Sequence, residues 1–153
     1  MQPTRILPDL QSSLVCQDVR QEANGNLILI GIMQIVPVPQ VPIAAAQILV
    51  FNRWCAGVGQ FTDTVRVVAP DATTVVAKSD LKFALQHAHA CATNVNILRE
   101  IEFKTTGVYY IEVLVDDVLK LRYPLPVVIP QQRPPAGGGR PGGTPEAEPP
   151  PAQ

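Results

Sequence analysis

The sequence predicts an all-β domain: an antiparallel two-sheet β-sandwich followed by a disordered Pro/Gly-rich tail. Three observations predict it. Val and Ile together number thirty among 153 residues, and β-branched side chains pack well on a pleated surface. Short runs of alternating apolar and polar residues are separated by turn signals such as Asn24-Gly25, with no convincing long helix. About seven to nine such strands need two packed sheets, because either sheet alone would leave an apolar face in water.

The strands follow in order. Ser13–Glu22 and Leu27–Ile35 form an opening hairpin. The segment "VPVPQVP" (36–42) has Pro at alternate positions, cannot donate a regular ladder, and reads as an extended crossover. Ala45–Cys55 is a long strand around "QILVFNRW". In Phe61–Val68, Phe61, Asp63, Val65 and Val67 alternate with Thr62, Thr64, Arg66 and Val68. Thr74–Ala77 begins another strand, while residues 79–92 mix periods and leave room for one helical turn. Asn94–Phe103, Val108–Val115 and Leu119–Val128 complete the domain, which spans residues 10–130.

Two hairpin registers follow from the pattern. With Asn24-Gly25 as a two-residue turn, Val19 lies opposite Ile30 and Gln21 opposite Ile28, on a core face shared with Val15 and Ile32. Arg20 then lies opposite Leu29, Glu22 opposite Leu27 and Cys16 opposite Met33, on the outer side. In the last hairpin, a common core face for Tyr109, Ile111, Val113 and Val115 with Leu119, Leu121, Tyr123 and Leu125 requires Val115 opposite Leu119. That predicts a three-residue loop, Asp116-Asp117-Val118, or a bulge.

The tail, residues 131–153, has 7 Pro and 5 Gly and no large apolar side chain. Such a segment buries too little to offset chain entropy and is expected to be disordered. Residues 1–130 hold 10 basic and 11 acidic side chains, without the basic stripe that nucleic-acid binding needs, so no nucleic-acid partner is expected. Charged residues are 16% of the chain, below the ~25% of an average soluble domain, which fits a buried core. No apolar run approaches the ~20 residues of a membrane span, and residues 1–13 lack a signal-peptide pattern. Cys16, Cys55 and Cys91 cannot all pair within one chain; they predict buried thiols in a reducing, cytoplasmic setting.

Two stretches are familiar. "SLVCQDVRQEANGNLILIGIM" (13–33) with "FNRW" (51–54), and "TTGVYYIEVLVDD" (105–117), resemble an uncharacterised bacterial β-sandwich family of small, mostly cytoplasmic proteins. The resemblance covers roughly residues 13–129, and the "G-x-Y-x-x-x-V" ending is similar to that of many immunoglobulin-like sandwiches. It implies an immunoglobulin-like fold and unknown function, and it supplies no catalytic residue.

Few constellations carry chemistry. "HAHAC" places His87, His89 and Cys91 at alternate positions, so on a strand all three point one way. His87 and His89 are the candidate metal ligands, against the plainer reading of strand-end histidines beside a thiol. Asp18, Arg20 and Glu22 form either an acid–base set or the wet face of an edge strand, and the second reading is preferred. Trp54 is read as core rather than as a sugar-stacking platform, and Arg53, on the opposite face, is a guessed partner for Asp18. No G-x-S-x-G or G-x-G-x-x-G appears. No cofactor is expected.

These readings lead to a non-catalytic cytoplasmic binding or scaffolding module acting through another protein or through itself. The alternative is a small-ligand or carbohydrate-binding module using Trp54 and Tyr110, and third is a metal-binding protein or enzyme. The candidate interaction surface is Arg20, Leu27, Leu29 and Met33, the outer apolar side of the opening hairpin that its charges only partly cover.

Overall fold

The computed structural model describes residues 4–131; the expected tail lies, from residue 132 onward, outside the described residues. Nine strands follow one another: β1 (Asp9–Gln21), β2 (Leu27–Ile32), β3 (Val36–Pro37), β4 (Ile43–Cys55), β5 (Gly59–Val68), β6 (Val75–Leu85), β7 (Cys91–Phe103), β8 (Gly107–Val115) and β9 (Val118–Val128). No helix occurs among the described residues, and so none that is long and apolar enough to cross a membrane.

The strands form two sheets. The first has the order β2-β1-β4-β7 and the second β3-β9-β8-β5-β6. All neighbours are antiparallel except β3, which runs parallel to β9 through Val36 and Pro37. The Pro-rich crossover thus supplies one short edge strand, held further by the Val38 amide donating to Val128 at 2.8 Å. The two sheets face each other over one apolar core. Val15 of β1, Ile48, Val50 and Trp54 of β4, and Leu98, Ile101 and Phe103 of β7 meet Phe61, Val65, Val67, Ile111, Val113 and Leu125 of the second sheet.

Two expectations change. Residues 79–85 are not helical; β6 runs without interruption to Leu85. Its exposure alternates, with Ser79, Leu81, Phe83 and Leu85 turned inward and Lys78, Asp80, Lys82 and Ala84 outward. That is a strict two-residue period on one half-buried strand. In the last hairpin Val115 pairs with Val118, so the loop has two residues, not three. Asp116 and Asp117 both adopt positive φ, 46° and 64°, as a type I′ turn requires. A bulge then restores the register expected for the strand bodies: Val113 lies opposite Leu121, Ile111 opposite Tyr123 and Tyr109 opposite Leu125.

The apolar core holds one carboxylate. Asp63 occupies the inward series of β5 and is fully buried. It accepts from Asn52 Nδ2 at 3.1 and 3.2 Å, from Trp54 Nε1 at 3.0 Å, from Asn94 Nδ2 at 3.0 Å and from Asn96 Nδ2 at 3.2 Å. The donors stand on the inner strand β4 and the edge strand β7 of the first sheet and the acceptor on the inner strand β5 of the second, so the cluster ties the two sheets together. Buried charge is tolerated when hydrogen bonds replace its water. Trp54 is also stacked on Phe83, with ring centroids 5.7 Å apart, and Phe83 meets Phe61 at 5.6 Å. Ser79 Oγ of β6 donates to Asn96 Oδ1 at 3.2 Å, joining the edge strands of the two sheets.

On the other flank Ser13 Oγ of β1 and Tyr123 Oη of β9 lie 3.0 Å apart. Burial pushes the Tyr123 phenol up to about 12. Tyr109, buried against Phe103, turns its hydroxyl back to donate to the Thr105 carbonyl at 2.8 Å.

Two measurements check this frame. Asp63→Asn keeps the shape, leaves one acceptor oxygen among four donors and adds a donor; it should lower the unfolding free energy by about 3 kcal/mol in urea denaturation. A loss under about 1 kcal/mol would show that the cluster is not what joins the sheets. For Tyr123, both states hold the phenol proton below pH 10, and only the unfolded chain releases it as pH rises from 10 toward 12. Stability should therefore fall across that window more steeply in the wild type than in Tyr123→Phe; equal slopes would contradict the burial argument.

Candidate functional site

The opening hairpin turns through three residues rather than two. The Glu22 amide donates to the Asn26 carbonyl at 2.8 Å, and the Gly25 amide to the Glu22 carbonyl at 2.9 Å. Ala23, Asn24 and Gly25 form the loop, with Gly25 at φ 91°, the left-handed position of a turn closed by a bulge. Asn24 Oδ1 braces it by accepting from the Asn26 amide at 2.9 Å.

One residue of slip reverses the faces. Arg20 lies opposite Ile28, Val19 opposite Leu29, Asp18 opposite Ile30 and Cys16 opposite Ile32. The four residues proposed from the sequence therefore do not share a surface. Leu27 and Leu29 stay together, Arg20 lies on the other face beside Ile28, and Met33 packs partly buried against the core. Asp18 pairs with Arg20 at 3.2 Å, not with Arg53.

The outward face of the first sheet is apolar. One row across it is Ile32, Cys16, Leu49 and Ile97; the next is Leu14, Phe51 and Val95. Ile32 is 56% exposed and Ile97 43%. Cys16 and Leu49 between them are buried without belonging to the central core. Burial, reinforced by the nearby charge of Asp18, pushes the Cys16 thiol up, which makes it a poor nucleophile.

The outer side of the second sheet contrasts with it. Thr62, Thr64, Lys78, Lys82 and Asp80 line its surface, Arg66 pairs with Glu112 at 3.1 Å, and Arg122 lies 4.3 Å over the Tyr110 ring.

The β9 and β2 edges differ in the same way. Along 118–126, β9 has no ladder partner beyond β8 among the described residues, and it carries Lys120, Arg122, Pro124 and Pro126. Charge and proline on an edge discourage strand addition. The β2 edge, "LILIGI", carries neither.

Beside this edge lies a groove. Its walls are Gln21, Glu22, Leu27 and Leu29 from the hairpin and Phe51, Arg53 and Thr93 from β4 and β7. Arg53 has no ion-pair partner among the described residues. The groove therefore mixes apolar Leu27, Leu29 and Phe51 with polar side chains, and its charges are Glu22 and Arg53. Sequence reading missed Phe51, Thr93, Ile97 and the outward isoleucines, because which strands flank β1 is a matter of sheet order.

The remaining candidates lie apart. His87 and His89 sit exposed in the turn between β6 and β7, not on a strand, with ring centroids 6.4 Å apart. No group of three metal-ligating side chains occurs among the described residues. Trp54 is fully buried and unavailable as a stacking platform, and Tyr110 lies on the opposite sheet, so the two form no common sugar site. Cys16, Cys55 and Cys91 are free, with Cys91 exposed rather than buried as expected.

The chain belongs to DUF6941, a family of unknown function, whose model matches residues 11–128. That span takes in both sheets and the hairpin groove. No curated protein matches the chain.

If the β2 face is surface, a charge there is tolerated. Ile32→Lys should change the unfolding free energy by no more than about 0.5–1 kcal/mol, while Val15→Lys, on the inner face, should prevent folding. Unfolding of the Ile32 variant would place that face in the core.

Proposed function

We propose that this domain is a non-catalytic protein-contact module, and that it acts through the β2 edge and the adjoining apolar face of the first sheet. The observation that supports the reading is the contrast between two free edges of one molecule. The β9 edge carries the lysine, arginine and proline that keep strands from adding, whereas the six residues of β2 are all uncharged and include exposed Ile28, Ile30 and Ile32. Contiguous exposed apolar surface marks interaction sites, and an exposed strand edge offers backbone donors and acceptors to an incoming strand. Main-chain pairing at β2 would supply affinity, and the groove with Leu27, Leu29, Phe51 and Arg53 would select side chains.

The finer points of the reading belong with it. The back-bonded Tyr109 hydroxyl resembles the tyrosine corner of immunoglobulin-like sandwiches, which supports that class for the fold. The free thiols and the family resemblance support a bacterial cytoplasmic setting. The balanced charge argues against nucleic acid as a partner.

The test compares the wild type with Ile28→Lys, an exposed position at the unguarded edge. In extracts of the cells that make it, the wild type should elute from a sizing column in a species larger than its 16.5 kDa chain. Folded Ile28→Lys should elute as the free chain. Identical elution of the two would overturn the assignment of β2 as the contact edge.

A further inference from the structure

Cys55 and Cys91 are direct cross-strand partners. Cys55 ends β4, Cys91 begins β7, and they close the antiparallel ladder of the two strands as an opposed pair. Opposed residues in such a ladder have Cα atoms ~4.5–5.5 Å apart, inside the ~4.4–6.8 Å window of a disulfide. Opposed side chains also project to the same face of the sheet. Both thiols are free, Cys91 exposed and Cys55 partly so, whereas Cys16 is buried.

From this pairing we infer that Cys55 and Cys91 form a reversible intrachain disulfide, a modification site whose oxidant is a low-molecular-weight disulfide such as oxidised glutathione. The exposed Cys91 thiolate attacks one sulfur of the external disulfide, forming a mixed disulfide and releasing one small thiol. The Cys55 thiolate then attacks the Cys91 sulfur and releases the second. Two protein thiols become one S–S bond, one external disulfide becomes two thiols, and two electrons and two protons leave the protein in the exchange.

The site is built for reversibility. The Cβ atoms of opposed strand residues lie ~4.5–5.5 Å apart, somewhat beyond the ~3.8 Å mean of a disulfide, so bond formation draws the strand ends together. Strained, exposed disulfides are the reducible ones. The next outward pair along the same ladder is Arg53 opposite Thr93, which lines the groove beside the hairpin. Oxidation therefore acts on the rung adjacent to the groove wall. The inference stands on the β4–β7 register alone and does not depend on what the groove binds.

The experiment equilibrates the full chain with oxidised glutathione, then denatures it and counts thiols. The free-thiol count should fall from three to one, the mass should drop by two hydrogens, and a non-reducing digest should join the Cys55 peptide to the Cys91 peptide. Dithiothreitol should restore all three thiols. Cys55→Ser should instead retain a glutathione adduct on Cys91. An unchanged count of three in the oxidised wild type, a glutathione adduct that never resolves, or cross-linking only between chains would each overturn the assignment.

Discussion

A single carboxylate between two sheets organises the molecule. Asp63 is surrounded by side-chain N–H donors from Asn52, Trp54, Asn94 and Asn96, and it reaches them from the opposite sheet. Apolar packing alone would let two flat faces slide, because dispersion and burial are non-directional. Hydrogen bonds to a buried charge are directional, and leaving them unmade is costly. The cluster therefore sets how β4 and β7 sit over β5. The rest follows from that placement: Trp54 is turned onto Phe83, and Ser79 meets Asn96 at the edge where β6 adjoins β7.

With β4 and β7 fixed from inside, their outward series is fixed too. Asn52 and Trp54 face the core, so Phe51, Arg53 and Cys55 face out; Asn94 and Asn96 face the core, so Cys91, Thr93, Val95 and Ile97 face out. The groove wall, the apolar rows and the Cys55–Cys91 pair are thus the reverse side of the Asp63 cluster. The hairpin is different. β1 pairs with β4 only as far as Cys16, and beyond it the ladder continues with β2 alone. Gly31, at φ 66°, adopts a conformation that other side chains rarely take, and an added Cβ would collide with the Gln17 side chain. The chain has an internally pinned frame and a two-stranded extension whose apolar residues are offered to something else.

Much of the frame was legible in the sequence. The strand runs of β4, β5 and β8 declare themselves as apolar runs bounded by turn signals, but Asp63 reads only as one position of an alternating strand. A buried carboxylate in the series Phe61, Asp63, Val65, Val67 needs donors, and Asn52 and Trp54 of "NRW" and the two asparagines of "NVN" supply them. What hid it was partner identity, since the donors lie 9 to 33 residues away. β6 is legible at Thr74–Ala77 but not through "KSDLKFAL", because its inward residues Ser79 and Leu81 do not form a continuous apolar series. Both hairpin turns were misjudged by one residue. Asn24-Gly25 fits a two-residue turn and a three-residue turn with a bulge equally well, and the choice depends on which face the strands bury. The Cys55–Cys91 pairing was out of reach for the same reason as the groove: no local pattern says that β7 lies beside β4.

Hydrogen exchange on the isolated chain tests most directly the claim that a pinned frame carries a separable contact edge. Amides of β4, β5 and β7 should exchange only through global unfolding, and those of Ile28 and Ile30, on the hydrogen-bonded rungs of the hairpin, through local opening, orders of magnitude faster. Protection of Ile28 and Ile30 equal to that of the β4 and β5 amides would show that the hairpin belongs to the core, and would contradict the account.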